Sequence, residues 1–360
     1  CEMGHYEQRL EADKKHIRDR VAAIGERVRH AIDESVQALL ASDHARSYAV
    51  ILGDLPINRE VRATDARCHA FVARHLPSAG HLRFVSSTMR MTVALERIGD
   101  YAVTIAREAV QLSEPPPDKI GARIQELAVQ ANDMLRDAMR AYVEGDEDLA
   151  RETKPLAGSV HRAYDRTFRA LLEEQGERSL KDLFALLVVF NRIERVSDQA
   201  KNICEETLFA VAGETKPPKV YRVLFVDDDN TLVGPLVTAM ARKSFPSSGS
   251  FQTVGIAPQD GLSPRLQDVA EDLGLELEGL TPSPLPDRSE LAKYHVLVAL
   301  SPGVRKHLEE IPFHTVFLDW HAAVGDVSTD AGQKDLVELS RRLAPEIREL
   351  MVTLRGEDAA

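Results

Sequence analysis

Leu95–Glu108 reads LERIGDYAVTIARE, and 98 positions later Ile193–Glu206 reads IERVSDQAKNICEE. Glu96/Glu194, Arg97/Arg195, Asp100/Asp198, Ala102/Ala200, Ile105/Ile203 and Glu108/Glu206 are identical pairs, and Leu95/Ile193, Ile98/Val196 and Gly99/Ser197 are matched in size. A repeat of this kind decides the architecture before any single residue does. In the first copy Met91, Leu95, Ile98, Ala102, Ile105, Ala109 and Leu112 alternate spacings of four and three; Val189, Ile193, Val196, Ala200 and Ile203 keep that rhythm in the second. The stripe predicts two long amphipathic helices packed nearly parallel or antiparallel to their neighbours, with alanines allowing close approach.

Glu96 and Asp100 lie one turn apart and off the stripe, as do Glu194 and Asp198, so their carboxylates are expected to point sideways or outward. Like charges at i, i+4 disfavour an isolated helix by roughly 0.2–0.5 kcal/mol. Two readings remove that cost. Arg97 and Arg195 neutralise Asp100 and Asp198 on a solvated face, or a cation sits at each acidic pair. The recurrence of the pair in two otherwise diverged segments weighs against a merely solvated face.

The flanking sequence completes two three-helix units, 6–113 and 118–213. In the first, a helix over about 6–42 is followed by Ser42-Asp43 as a cap and a second helix to about 75, which Pro56 is expected to kink or break near Asp54-Leu55. A turn through Pro77, Ser78 and Gly80 opens the third helix, which stops before Pro115, Pro116 and Pro117. The second unit predicts helices over about 118–144, 147–175 and 179–211, with GDED (145–148) as turn and cap. The expected architecture is therefore an all-α tandem bundle with short connections.

The character changes across a linker at 214–219, and 220–356 reads as a second domain. YRVLFV (221–226) is a continuous β-branched and aromatic run, as in a buried parallel strand. Strands near 251–256, 295–300 and 315–319 alternate with helices near 235–245, 263–274, 302–309 and 333–354. That alternation predicts a small parallel α/β sheet.

Across 360 residues the net charge is −12, so a duplex nucleic-acid partner is not expected. Three cysteines form no zinc spacing and suit a reducing cytosol, with Cys68 and Cys204 as plain helix-face residues. No leader sequence is expected, and the longest apolar run, Leu183–Phe190, is far short of the ~20 residues a membrane span needs. A cytoplasmic protein, peripheral to the membrane at most, is the expectation.

The repeated stretch resembles the PhoU family of phosphate-signalling regulators, whose tandem three-helix units carry E-R-x-x-D in each third helix, here Glu96–Asp100 and Glu194–Asp198. Gly53-Asp54, Ile57-Asn58, Asp65, Cys68, Pro77, Leu82-Arg83 and Asn202–Glu205 extend the resemblance over about 6–212. It implies a negative regulator of phosphate uptake that contacts the phosphate ABC transporter ATPase and its partner sensor histidine kinase; a homodimer is the expected assembly. It also implies Fe, Zn or Mg at the acidic motifs, with Asp54, Asn58 and His161 as further ligands. The chain departs from the metal-site pattern at Val61, beside Glu60, and at Ala157 and His161, where the family has acidic residues, while Val160 keeps the family's valine.

The second half resembles low-molecular-weight tyrosine phosphatases and arsenate reductases. Their phosphate loop, C-x5-R-S-P, corresponds to DDDNTLVGP here: Asp227 stands at the Cys position, Val233 at the Arg position and Gly234 at the Ser position. Asp228, Asp229 and Asn230 place further polar and acidic groups where a phosphate would dock. The general-acid Asp-Pro is not found in 320–326. Without a thiolate and an Arg fork, the implied domain is an inactive phosphatase fold. Two alternatives remain: an interaction scaffold that binds no ligand, and a receiver-like domain whose acidic loop binds Mg²⁺, although 270–287 holds no strand ending in an Asp and the strand-end Asp319 comes too far after Asp227.

Overall fold

The computed structural model describes residues 2–172, 179–215, 219–308, 310–325 and 332–356. It divides into two compact units, Cys1–Lys216 and Pro217–Ala360. Part of the expected linker, 216–218, lies outside the described residues, as does the end of the expected helix at 147–175.

The first unit is helical: α1 (Glu2–Ala41), α2 (His44–His75), α3 (Ala79–Gln111), α4 (Asp118–Glu144), α5 (Glu147–Thr153), α6 (Ala157–Leu172) and α7 (Leu180–Ala212). The repeated stripe does what its spacing predicts. Leu95, Ile98, Ala102 and Ile105 of α3 and Ile193, Val196, Ala200 and Ile203 of α7 are fully buried. They belong to one hydrophobic core that runs unbroken through both repeats, joining Ile17, Ile24 and Ile32 of α1 to Ile120, Ile124 and Leu135 of α4. Cys68 and Cys204 lie in this core, where burial pushes both thiols up to about 12, so neither is a ready nucleophile.

The two helix-two segments differ. Contrary to the expected kink or break, Pro56 sits inside an uninterrupted α2. In the second unit, by contrast, the expected single helix is split by a 3-10 turn at Lys154–Leu156 that contains Pro155. Proline removes one intrahelical hydrogen bond in both places. Around Pro56 the buried Val50, Ile57 and Val61 hold the helix to the core; Ala150, Thr153 and Val160 are buried on either side of the 3-10 turn, but none of its own residues is.

The caps read from sequence are in place: Asp43 accepts from the Arg46 N–H at 3.0 Å and Asp146 from the Leu149 N–H at 2.9 Å. Replacing Asp43 by Ala should cost the helical unit about 1 kcal/mol, seen as an earlier chemical-denaturation midpoint by far-UV circular dichroism. An unmoved midpoint would show that the cap contributes nothing.

The second unit holds β1 (Tyr221–Asp227), α8 (Val233–Ser244), β2 (Gly249–Gly255), α9 (Pro264–Leu273), α10 (Arg288–Leu291), β3 (Val296–Ala299), α11 (Val304–His307), β4 (Val316–Asp319), α12 (His321–Val324) and α13 (Gln333–Arg355). The one-turn helices α10 and α12 had no sequence signal. The sheet is parallel, in the order β2-β1-β3-β4. Central β1 is buried on both faces: Val223 and Phe225 pack with Leu236, Trp320 and Leu339, while Leu224 and Val226 pack with Leu291, Leu297 and Val304. Asp227 therefore stands at the carboxyl end of the central strand, where open parallel sheets place their ligand crevices. No described helix in either unit is long and apolar enough to cross a membrane.

Candidate functional sites: the acidic helix faces and the loop after β1

Glu96 on α3 is half-buried and Asp100 exposed; Glu194 and Asp198 on α7 are both half-buried. The acidic pairs thus lie beside the core rather than in it, as the stripe requires. Among the described residues, however, no ion pair joins Arg97 to Asp100 or Arg195 to Asp198, so local neutralisation by those arginines is not what the structure contains.

One acid of each pair, Asp100 or Glu194, instead lies near the second helical segment of its own repeat. In the first, Asn58 Nδ2 donates to Asp54 Oδ2 at 2.6 Å. Asp54 Oδ1 and Asn58 Oδ1 are buried without a hydrogen-bond partner. A methyl group on Gly99 would come within 3.0 Å of Asp54 Oδ1, so glycine there leaves the room that the carboxylate occupies. Burial, and then the charge of Asp100, raises the Asp54 pKa above the ordinary carboxylate value. In the second repeat His161 Nδ1 lies 2.9 Å from Glu194 Oε1, and its Nε2 is 3.8 Å from Asp165. The structure thus groups Asp54, Asn58 and Asp100 in one repeat and His161 with Glu194 in the other.

As a metal centre this arrangement is sparse. The two orphaned oxygens of Asp54 and Asn58 are hard donors of the kind Mg²⁺ takes, but they offer neither thiolate nor imidazole. Among the described residues no three His, Cys, Asp or Glu side chains gather as a metal site. The residues present therefore do not fit a preformed Fe or Zn cluster.

The three aspartates after β1 occupy three different environments. Asp227 is 3% exposed, Asp229 is half-buried and Asp228 is in solvent. The Asp227 carboxylate accepts from the Asn230 N–H at 2.8 Å and from the Gly234 N–H, at the start of α8, at 2.7 Å. Asp229 Oδ1 accepts from both the backbone N–H and the hydroxyl of Thr231, each at 3.0 Å. Asn230, held at φ 57°, accepts from Thr253 Oγ1 at 2.7 Å. Amides that open a helix are ready-made anion donors. Here the amide of Gly234, in the first turn of α8, and the loop amide of Asn230 are both turned onto the chain's own carboxylate. Burial pushes Asp227 up to about 7 despite those two bonds, with Asp229 and Asp228 adding repulsion. The sequence reading of these aspartates as a solvated or Mg²⁺-binding loop fails at Asp227, because its carboxylate is internal. The opening beside it is small, about 200 Å³, and is lined in part by Val233, Ser301 and Val324.

The receiver-like alternative fares no better. Such a domain needs an acid at the end of its third strand, but β3 ends in Ala299-Leu300. Asp319 ends β4 instead, where its carboxylate is 2.7 Å from His321 Nδ1. The end of the segment expected to carry a general acid, from Asp326, lies outside the described residues.

Two stacked helical repeats with an acidic pair on each third helix define a class, and comparison with known proteins agrees with it. The PhoU domain matches residues 21–109 and 124–207. A phosphate-specific transport system accessory protein PhoU homolog of Pseudomonas putida is 31% identical over 212 residues, covering 58% of this chain and 83% of its own length. The crystal structure of PhoU from Pseudomonas aeruginosa is 28% identical with a TM-score of 0.54, over 57% of this chain and 100% of that one. The chain belongs to the PhoU family. The tyrosine phosphatase Wzb from Escherichia coli K30 aligns with 38% of this chain and 99% of its own, at 14% identity and a TM-score of 0.32, a likeness that says nothing of activity.

Proposed function

We propose that this chain is a regulator of phosphate uptake that works through protein contact, with its helical unit as the contacting part. The observation that supports this most is the position of the acidic pairs. Glu96, Asp100, Glu194 and Asp198 flank the buried stripes of α3 and α7 at matched places, and Glu96, Asp100 and Asp198 have no side-chain hydrogen bond or ion pair among the described residues. Charges left unpaired at a surface favour a complementary partner and set the rate of encounter with it. By family resemblance the partners are the ATPase of a phosphate transporter and a phosphate-sensing histidine kinase, met at the cytoplasmic membrane face.

The α/β unit is, in this reading, a pseudophosphatase. Its segment 217–360 contains no cysteine, so thiol-based phosphoryl transfer has no nucleophile, and Val233 supplies no guanidinium for the phosphoryl oxygens. Metal is not required by this reading. A cation at Asp54, Asn58 and Asp100 would add to it, and elemental analysis of the purified chain tests for one.

The regulator reading is tested in cells. Asp100→Lys with Asp198→Lys should leave the helical unit folded yet raise phosphate uptake in phosphate-replete medium to the level of a deletion strain. Uptake and starvation response unchanged by full deletion would overturn the assignment.

A further inference from the structure

A second feature of the helical unit lies away from the acidic pairs. A cavity of about 360 Å³ opens between α1, the start of α3 and the ends of α4 and α7, and its walls carry Lys14, Arg18, His81 and Arg83. No acidic side chain lines it. Arg18 and Arg83 make no ion pair among the described residues, and the Nε atom of each is buried without a hydrogen-bond partner. Lys14 is bonded at 2.8 Å to Glu11, whose carboxylate feels Arg18 and His81 as well.

Arg18 and Arg83 are half-buried, each with its Nε inside, and unpaired guanidinium groups partly withdrawn from water are costly. These two are held in position by neutral groups. The Arg18 guanidinium lies 5.1 Å from the Phe84 ring centre, and that ring stacks on Tyr142. Arg83 lies along Gly213, where an added methyl group would be 3.4 Å from its guanidinium carbon. The opening turn of α3 adds unmatched amides, since its cap residue Ser78 makes no side-chain cap bond.

The repeat provides an internal comparison. The residues 98 positions after Arg83 and Phe84 are Lys181 and Asp182, and Asp182 is a buried carboxylate that accepts from the Ser113 N–H at 3.1 Å. The second repeat therefore supplies its own anion at the place where the first has an aromatic floor and unpaired cations.

We propose that this cavity is a binding site for a compact phosphoryl oxyanion: inorganic phosphate, or the terminal group of a pyrophosphate or phosphate ester. Forked guanidinium donors match tetrahedral phosphoryl oxygens, and two arginines with a lysine call for more than a single negative charge. The cavity is at the small end of the ~300–1,000 Å³ range of ligand sites, which suits a compact anion. The site stands on the geometry of the helical unit and does not depend on the transport reading.

The test is calorimetric titration of the full chain, at low salt, with inorganic phosphate, pyrophosphate and the tricarboxylate tricarballylate as separate probes. The expected result is saturable binding of phosphate or pyrophosphate tighter than about 1 mM, weakened at least tenfold in Arg18→Gln/Arg83→Gln. His81→Asp guards against misfolding of that variant. It places a carboxylate in the cavity wall, yet an acid in the first turn of a helix favours folding, so it should abolish binding while leaving the circular dichroism spectrum unchanged. Phosphate bound and pyrophosphate not, or the reverse, separates the two sources. No saturable binding of either, equal binding by folded variants, or tighter binding of the tricarboxylate than of both phosphates would each overturn the proposal.

Discussion

Alanine at Gly234 should destabilise the α/β unit by about 3 kcal/mol, although alanine is the better helix former. Gly234 is the second residue of α8 and its φ is not in the left-handed region, so its backbone does not require glycine. Space does. A Cβ there would fall inside contact distance of Thr253 Oγ1, 2.9 Å from Asp227 Oδ2 and 3.1 Å from Asn230 Oδ1. Helix propensity would return at most about 1 kcal/mol. Overpacking costs about 1–3 kcal/mol, and disturbing the hydrogen bonds of buried polar groups a further 1–3 kcal/mol. The clash therefore wins. Trp320, the chain's single tryptophan, is buried against Phe225 and reports this unit alone. Its fluorescence in urea should show an earlier midpoint for Gly234→Ala, and an unchanged midpoint would mean that the loop relaxes freely.

The second large effect is a dependence on pH. Asp227 sits at about 7 in the folded unit, against an ordinary value of 3.8. Between those values the folded chain binds the proton and the unfolded chain has released it, so stability falls as pH rises from about 4 to about 7 and levels off above. At 1.36 kcal/mol per pKa unit the full span is about 4 kcal/mol. Asp287 and Asp319, whose pKa values are lowered by hydrogen bonds from Ser289 and His321, act in the opposite sense, being stabilising above their unfolded values and losing that on acidification. The measurable quantity is therefore the difference between the wild type and Asp227→Asn, followed at Trp320 from pH 4 to pH 8. The variant should be the less stable at pH 4, because its amide NH₂ faces one of the two N–H donors, and should gain on the wild type steadily as pH rises. Parallel curves would show that Asp227 does not titrate in this range.

Much of the architecture could be read in advance because it rests on local patterns. The stripes of α3 and α7, the caps at Asp43 and Asp146, and the apolar run of β1 each declare themselves within a dozen residues. What could not be read depended on contacts between distant segments. Pro56 and Pro155 are the same residue in equivalent helical segments, and nothing local to either separates the continuous helix from the broken one. Asp227 looks like its two neighbours in sequence, and only the amides of Asn230 and Gly234 closing over it make it internal. The pairing of Asp54 with Asn58 followed their one-turn spacing, but the approach of Asp54 to Gly99 joins two helices. The basic cavity is not legible in the sequence, because Arg18, His81 and Arg83 come from two helices, and of these only Arg83 belongs to a recognisable pattern.

The single core shared by the two repeats carries a further implication, for how such a chain can change over time. Duplicated segments in separate modules are free to diverge, because a change in one is not felt by the other. Here Leu95 and Ile98 lie in the same apolar interior as Ile193 and Val196, so a substitution in either copy alters the packing available to the other. Divergence is therefore directed away from the stripes. The stripe residues keep their sizes, while positions off them are free to differ, as Phe84 beside the basic cavity does from Asp182 in the other half. A chain cut between Leu112 and Asp118 should not yield two independent half-proteins, since each half would expose the face it had buried against its twin.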